Sequence, residues 1–147
     1  MSADDRSRDL AAMLQPLLRS LIEAERPVLA EHGISMWGYA VLGALNSSPI
    51  RTQAALCEAI GADRTRIITT LDKLQAAGLI SRVPDAADRR VRLLSITEDG
   101  LRIHHSVRAA IRVAEDRILA PLPPADRRGF LRALHALTDS TADRRPE

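Results

Sequence analysis

The chain has 147 residues, 46% hydrophobic and 27% charged, with formal net charge +2, seven glycines and eight prolines. That length predicts one domain, 1–147, able to bury a core without disulfide or metal staples, and the composition excludes a disordered polymer. A lone cysteine (Cys57), a polar start from Met1 to Arg6 and no apolar run longer than Tyr39 to Leu45 argue against a disulfide framework, a secretory leader and a bilayer span; a soluble cytoplasmic protein with no membrane partner is expected.

Residues 8 to 31 repeat apolar side chains at Leu10, Met13/Leu14, Leu17/Leu18, Leu21/Ile22 and Val28/Leu29, the three-four spacing of an amphipathic helix. Pro16 and Pro27 fall inside that pattern, so one of them is expected to mark a kink or a helix start; Gly33 ends the segment. Ser35 is placed to cap a second helix through Trp37, Ala40, Val41, Ala44 and Leu45, closed by Asn46-Ser47-Ser48-Pro49. Thr52 caps a short third helix, Gln53 to Ile60, with Ala55, Leu56 and Ile60 facing inward and Gly61 beyond its end. Asp63 caps a fourth, Arg64 to Ala77, whose expected apolar stripe is Ile67, Ile68, Leu71 and Leu74, with Gly78 closing it. Leu79 to Val83 and Val91 to Ile96 read as strands joined by the polar stretch Pro84 to Arg90, a hairpin with a charged tip. Thr97 caps a fifth helix carrying Ile103, Val107, Ala110/Ile111, Ala114 and Ile118, and Pro121-Leu122-Pro123-Pro124 breaks it. A sixth follows with Phe130, Leu131, Leu134 and Leu137, before a polar tail from Ser140.

The order helix, short helix, tight turn, helix, hairpin is that of a winged helix-turn-helix. The fold expected is mainly α, about six helices plus a short β-hairpin wing, with residues 35–97 forming the DNA-binding part and 8–33 with 98–140 a helical dimerisation part. Charge supports the first assignment. Between Arg64 and Arg92 there are seven basic residues against three acids, in a chain that is nearly neutral elsewhere. A solvated arginine-rich face is the other reading of that charge. The turn Gly61-Ala62-Asp63 would present the fourth helix to a major groove N-terminus first, with Arg64, Thr65, Arg66, Thr69 and Thr70 on its outer face. Arginine can pair bidentately with guanine, and a threonine methyl can touch that of thymine. Lys73 and Arg82 are candidates for phosphate contacts. An arginine-tipped hairpin suits a narrow minor groove.

Leu74-Gln75-Ala76-Ala77-Gly78-Leu79-Ile80-Ser81-Arg82, then Asp88-Arg89-Arg90, then Leu94-Ser95-Ile96-Thr97-Glu98-Asp99-Gly100 resembles the MarR family of bacterial winged helix-turn-helix regulators. Ile34-Ser35-Met36-Trp37 and Thr52-Gln53-Ala54-Ala55-Leu56 are similar to that family's preceding helices. The resemblance implies a homodimer that sets two winged domains on a pseudopalindromic operator in double-stranded DNA, and repression released by a small ligand. By the same resemblance Arg90 is the minor-groove arginine, Asp88 orders the loop or that arginine, and Arg89 beside them is either a phosphate contact or a solvated charge. The family's ligand cleft, between the terminal helices and the winged domain, makes His32, Trp37, Tyr39 and His104 candidates to receive an aromatic or phenolic effector.

Other classes find less support. Gly-x-Gly-x-x-Gly, P-loop, His-Glu-x-x-His and Gly-x-Ser-x-Gly motifs are all missing, so neither enzyme activity nor a cofactor is expected. Three aromatic residues, Trp37, Tyr39 and Phe130, are too few for a single-strand stacking platform. His104 and His105 point apart on a helix, and no metal site is expected. Cys57 does not match the reactive position of the family's peroxide sensors and reads as a semi-buried packing thiol. The alternative from another class is a winged-helix protein-interaction module without DNA binding.

Overall fold

A computed structural model describes residues 8–47 and 52–142. Six helices and one hairpin follow in order: α1 (Leu10–Glu31), α2 (Met36–Ser47), α3 (Gln53–Ile60), α4 (Arg64–Ala76), β1 (Ile80–Pro84), β2 (Arg92–Ile96), α5 (Glu98–Leu119) and α6 (Pro124–Ala142). Ser48 and Pro49, expected to close the second helix, lie outside the described residues.

Capping chemistry sets the helix starts. Ser35 Oγ accepts the Gly38 N–H at 3.0 Å, Thr52 Oγ1 that of Ala55 at 3.0 Å, and Asp63 Oδ1 that of Arg66 at 2.9 Å. Each supplies an acceptor to an amide that the first helical turn leaves unpaired. Gly33 and Gly61 follow their helices with φ of 63° and 68°, where a side chain would be strained.

Both prolines of α1 lie within one continuous helix, so neither marks the expected helix start. They are exposed, as are Ala12 and Glu23 four residues upstream, so the carbonyls that lose their intrahelical donors are open to water. α6 instead begins on Pro124, where a missing N–H costs nothing.

Val41 and Leu42 of α2, Leu56 of α3, Ile67 and Leu71 of α4 and Val107 of α5 are fully buried and form the centre of the core, joined by Ile80 and Leu94 of the hairpin. Two expected core residues lie outside it. Ala55 is exposed, and Ile68 keeps 43% of its surface. At 100° per residue the buried stripe of α4 runs Ile67, Thr70, Leu71, Leu74, which turns Ile68 outward.

The strands pair antiparallel, with Ile80 opposite Ile96 and Arg82 opposite Leu94. Thr97 locks this hairpin to α5. Its hydroxyl donates to the Gly78 carbonyl at 2.6 Å and accepts the Gly100 N–H at 3.1 Å, while its own N–H donates to the Leu79 carbonyl at 3.1 Å. α1 lies against α5. From 124 to 141 no side chain of α6 is buried.

Candidate nucleic-acid interface

The turn from Gly61 to Asp63 delivers α4 with its first two turns facing outward. Arg64, Thr65, Arg66 and Thr69 are exposed there, as is Lys73 one turn further on. Ser35, Trp37, Asp63, Thr65, Arg66, Thr69, Thr70 and Lys73 line one open concavity, so the N-terminus of α2 forms its second wall. The positive end of the α4 dipole and these cations share a side, which favours an anion.

Thr70 does not belong to the outer face. It is 9% exposed and its hydroxyl donates to the Arg66 carbonyl at 3.0 Å. Lying three residues after Ile67 puts it at the margin of the buried stripe, where only its edge reaches the concavity. Arg82 is also engaged within the chain. Its guanidinium pairs with the Asp72 carboxylate and its Nε donates to Gln75 Oε1 at 2.7 Å, tying β1 to α4 and leaving the side chain 20% exposed.

The wing tip is built by its own acids. Asp85 Oδ1 accepts the Ala87 N–H at 2.9 Å, and the Asp85 N–H donates to the Val91 carbonyl at 2.8 Å. Asp88 Oδ1 accepts both the backbone N–H of Arg90 at 3.1 Å and its Nε–H at 3.2 Å. The Arg90 side chain nevertheless remains 90% exposed, held at its base and free at its outer edge. Arg89 beside it is exposed.

The structure does not gather His32, Trp37, Tyr39 and His104 into one site. Two residues apart on α2, Trp37 and Tyr39 point in nearly opposite directions. Trp37 lies beside α4, its ring centroid 5.5 Å from the Arg66 guanidinium carbon. Tyr39 stacks on the buried His104 of α5, centroids 5.3 Å apart. His32 is not part of that ring stack; its Nδ1–H donates to the Val28 carbonyl at 2.8 Å, and its Nε2 pairs with Ser106 Oγ of α5 at 3.0 Å.

Around the Tyr39–His104 stack the electrostatics are unusual. Burial holds His104 below its ordinary pKa, reinforced by His105 and Arg108, and its buried Nδ1 has no hydrogen-bond partner among the described residues. Burial raises the Tyr39 hydroxyl; Arg108 draws it back, and Glu25 and Glu115 push it further up. Glu25 is itself raised by burial and by Glu115. Cys57 is a free, half-buried thiol packed against the core. Sequence periodicity missed His104 because a histidine is not counted into an apolar stripe, although it falls four residues after the buried Gly100.

No helix among the described residues is long and apolar enough to cross a membrane. The model of the MarR family matches residues 32–91, from the end of α1 to the tip of the wing. Among solved structures, the PcaV transcriptional regulator from Streptomyces coelicolor, in complex with its natural ligand, is 29% identical, with 92% of this chain and 99% of that one covered and a TM-score of 0.66. A MarR family protein of Mycobacterium tuberculosis in complex with DNA is 24% identical over 89% of this chain and 98% of its own, with a TM-score of 0.78. CouR from Rhodococcus jostii, bound to p-coumaroyl-CoA, is likewise 24% identical over 89% and 92%, with a TM-score of 0.72. The matched segment is similar to the MarR family, and the described chain shares the fold of these solved structures.

Proposed function

We propose that the protein is a double-stranded-DNA-binding transcriptional regulator, acting as a homodimeric repressor that a small aromatic or phenolic ligand releases from its operator. The observation that carries this reading is the joint geometry of α4 and the wing. Exposed Arg64, Thr65, Arg66 and Thr69 are available to base edges, while Arg90 is held by Asp88 at the exposed tip of the hairpin that follows. Lys73 serves as a phosphate contact, and Arg89 as a second at the wing. Arg82 contributes mainly by bracing β1 on α4, since its Nε and one terminal nitrogen already bond Gln75 and Asp72.

Dimerisation supplies the two-fold match to a pseudopalindrome. Leu10, Met13, Leu14 and Leu18 of α1, with Leu131, Leu134 and Leu137 of α6, form exposed apolar faces of the kind that a second copy covers. The ligand reading is supported by the solved PcaV and CouR complexes and by the Tyr39–His104 stack between winged domain and long helices.

Selection of bound duplexes from a random pool tests the proposal. Recovery of a pseudopalindrome whose binding weakens steeply with salt is expected. A pool that stays random after repeated rounds overturns it.

A further inference from the structure

Trp37 is the chain's one tryptophan, and it stands in the groove wall instead of the core. It belongs neither to the buried cluster nor to the side chains packed against it. Its ring faces the Arg66 guanidinium at 5.5 Å. Arg82, Arg90, Arg102 and Arg127 are organised differently, each with its guanidinium on a carboxylate. The acid nearest in sequence to Arg66, Asp63, is occupied in accepting the Arg66 backbone N–H. Arg66 thus lies over an indole instead of on a carboxylate, and its N–H groups meet no competing acid among the described ion pairs.

That distinction matters for base reading. A carboxylate takes the same N–H fork that guanine requires, whereas an indole takes only the π face and leaves the fork available. A long arginine side chain also loses rotamer freedom on binding, and a stacked one has lost part of it beforehand.

We propose that Trp37 is a specificity-determining positioning residue, which holds Arg66 over its indole so that the guanidinium meets a base edge in a fixed orientation. The inference rests on the DNA reading above. α2 then does more than pack behind α4: its first turn sets the aim of the arginine that α4 carries.

The experiment has one arm without DNA and one with it. In the free protein, the side-chain Nε–Hε resonance of Arg66 is expected upfield of exposed arginines, and Trp37→Leu should return it to their position. With the duplex selected by the wild type as probe, Trp37→Leu is expected to lower affinity about three- to tenfold, the range of a cation–π contact. Trp37→Phe, which keeps an aromatic face and fills most of the space, should restore most of that loss. In an Arg66→Ala background Trp37→Leu should cost less than about twofold, because the partner is already gone. Reselection with Trp37→Leu should relax the same base pair that Arg66→Ala relaxes, and melting curves confirm that each variant is folded. An Arg66 resonance indifferent to Trp37, or additive losses in the double variant, overturns the role of Trp37 while the DNA reading stands. Failure of the wild type to enrich any duplex overturns the DNA reading, and this proposal with it.

Discussion

Arg90 and His104 show two opposite uses of a charged or titratable side chain. Arg90 is almost wholly exposed, so its pairing with Asp88 adds little stability. What the pair fixes is direction. Arg90→Ala should therefore leave the melting temperature nearly unchanged, within about 0.5 kcal/mol, while affinity for the selected duplex falls sharply, most at A·T-rich flanks. Asp88→Ala should give a milder form of the same defect, because the arginine is loosened and not removed. Titrations at matched salt check both, and wild-type affinity in Arg90→Ala would reject the wing contact. His104 is buried, with its pKa held below the ordinary 6.5 by desolvation first and by His105 and Arg108 next. Below that ordinary value the unfolded chain binds a proton that the folded chain resists, so acid removes stability until the pH passes the lowered folded value. Glu25, raised above its ordinary 4.5, acts with the opposite sign, its stabilisation fading as pH rises through its folded value. Comparison of wild type with His104→Gln, in which Glu25 is retained, isolates the histidine. The variant should gain on the wild type as pH falls from about 7 towards 5 in denaturant titrations. A difference that does not change with pH would show that His104 is not kept neutral.

Among the elements, the junction between wing and α5 is the least tolerant. A Cβ on Gly100 would lie 2.1 Å from the Leu79 carbonyl oxygen, the acceptor of the Thr97 N–H, and 2.7 Å from Ile96 Cγ1. The obstruction is backbone, so it cannot be relieved by a rotamer change. Gly100→Ala should therefore cost more than about 2 kcal/mol and displace the hairpin from α5, read as a lower melting temperature and lost duplex affinity together. The cap of α4 is a gentler case. Asp63→Ala removes the acceptor of the Arg66 N–H and should cost about 1 kcal/mol of stability. A stability loss near zero would mean that water replaces the carboxylate at that exposed terminus.

At the scale of the whole molecule, the two long helices at the ends of the chain have more apolar surface than the winged domain covers. α6 has no buried side chain between 124 and 141 and is tied to α5 through the Arg127–Asp116 ion pair. Leu134→Glu combined with Leu137→Glu should therefore yield a monomer in sedimentation at micromolar concentration. Such a variant should lose most of its affinity for a two-fold site, because each half-site is then bound alone. A wild type that sediments as a monomer, with duplex present, overturns the dimer.

Local chemistry was enough to read the element order. Ser35, Thr52, Asp63 and Thr97 announce helices because a capping oxygen needs only its own backbone three residues on, and Gly33, Gly61 and Gly78 announce ends because positive φ is a property of a single residue. The wing pair was legible through the family resemblance, and the bond that the structure shows between Asp88 and Arg90 is a local one, two residues apart. What the sequence could not decide is which side of a helix meets which neighbour. Thr70 looks like a base-reading threonine until the packing of α4 turns it inward, and Ile68 looks like core until the same rotation turns it out. Trp37 and Tyr39 were both candidates for one effector cleft, yet the helical twist sends one to Arg66 and the other to His104. Arg82 looked free because its partners, Asp72 and Gln75, lie on another element. Sequence determined the hydrogen bonds that close within a few residues; the tertiary structure alone decided the contacts that depend on how whole helices are rotated about their axes, since that rotation is fixed by the burial of all their side chains at once.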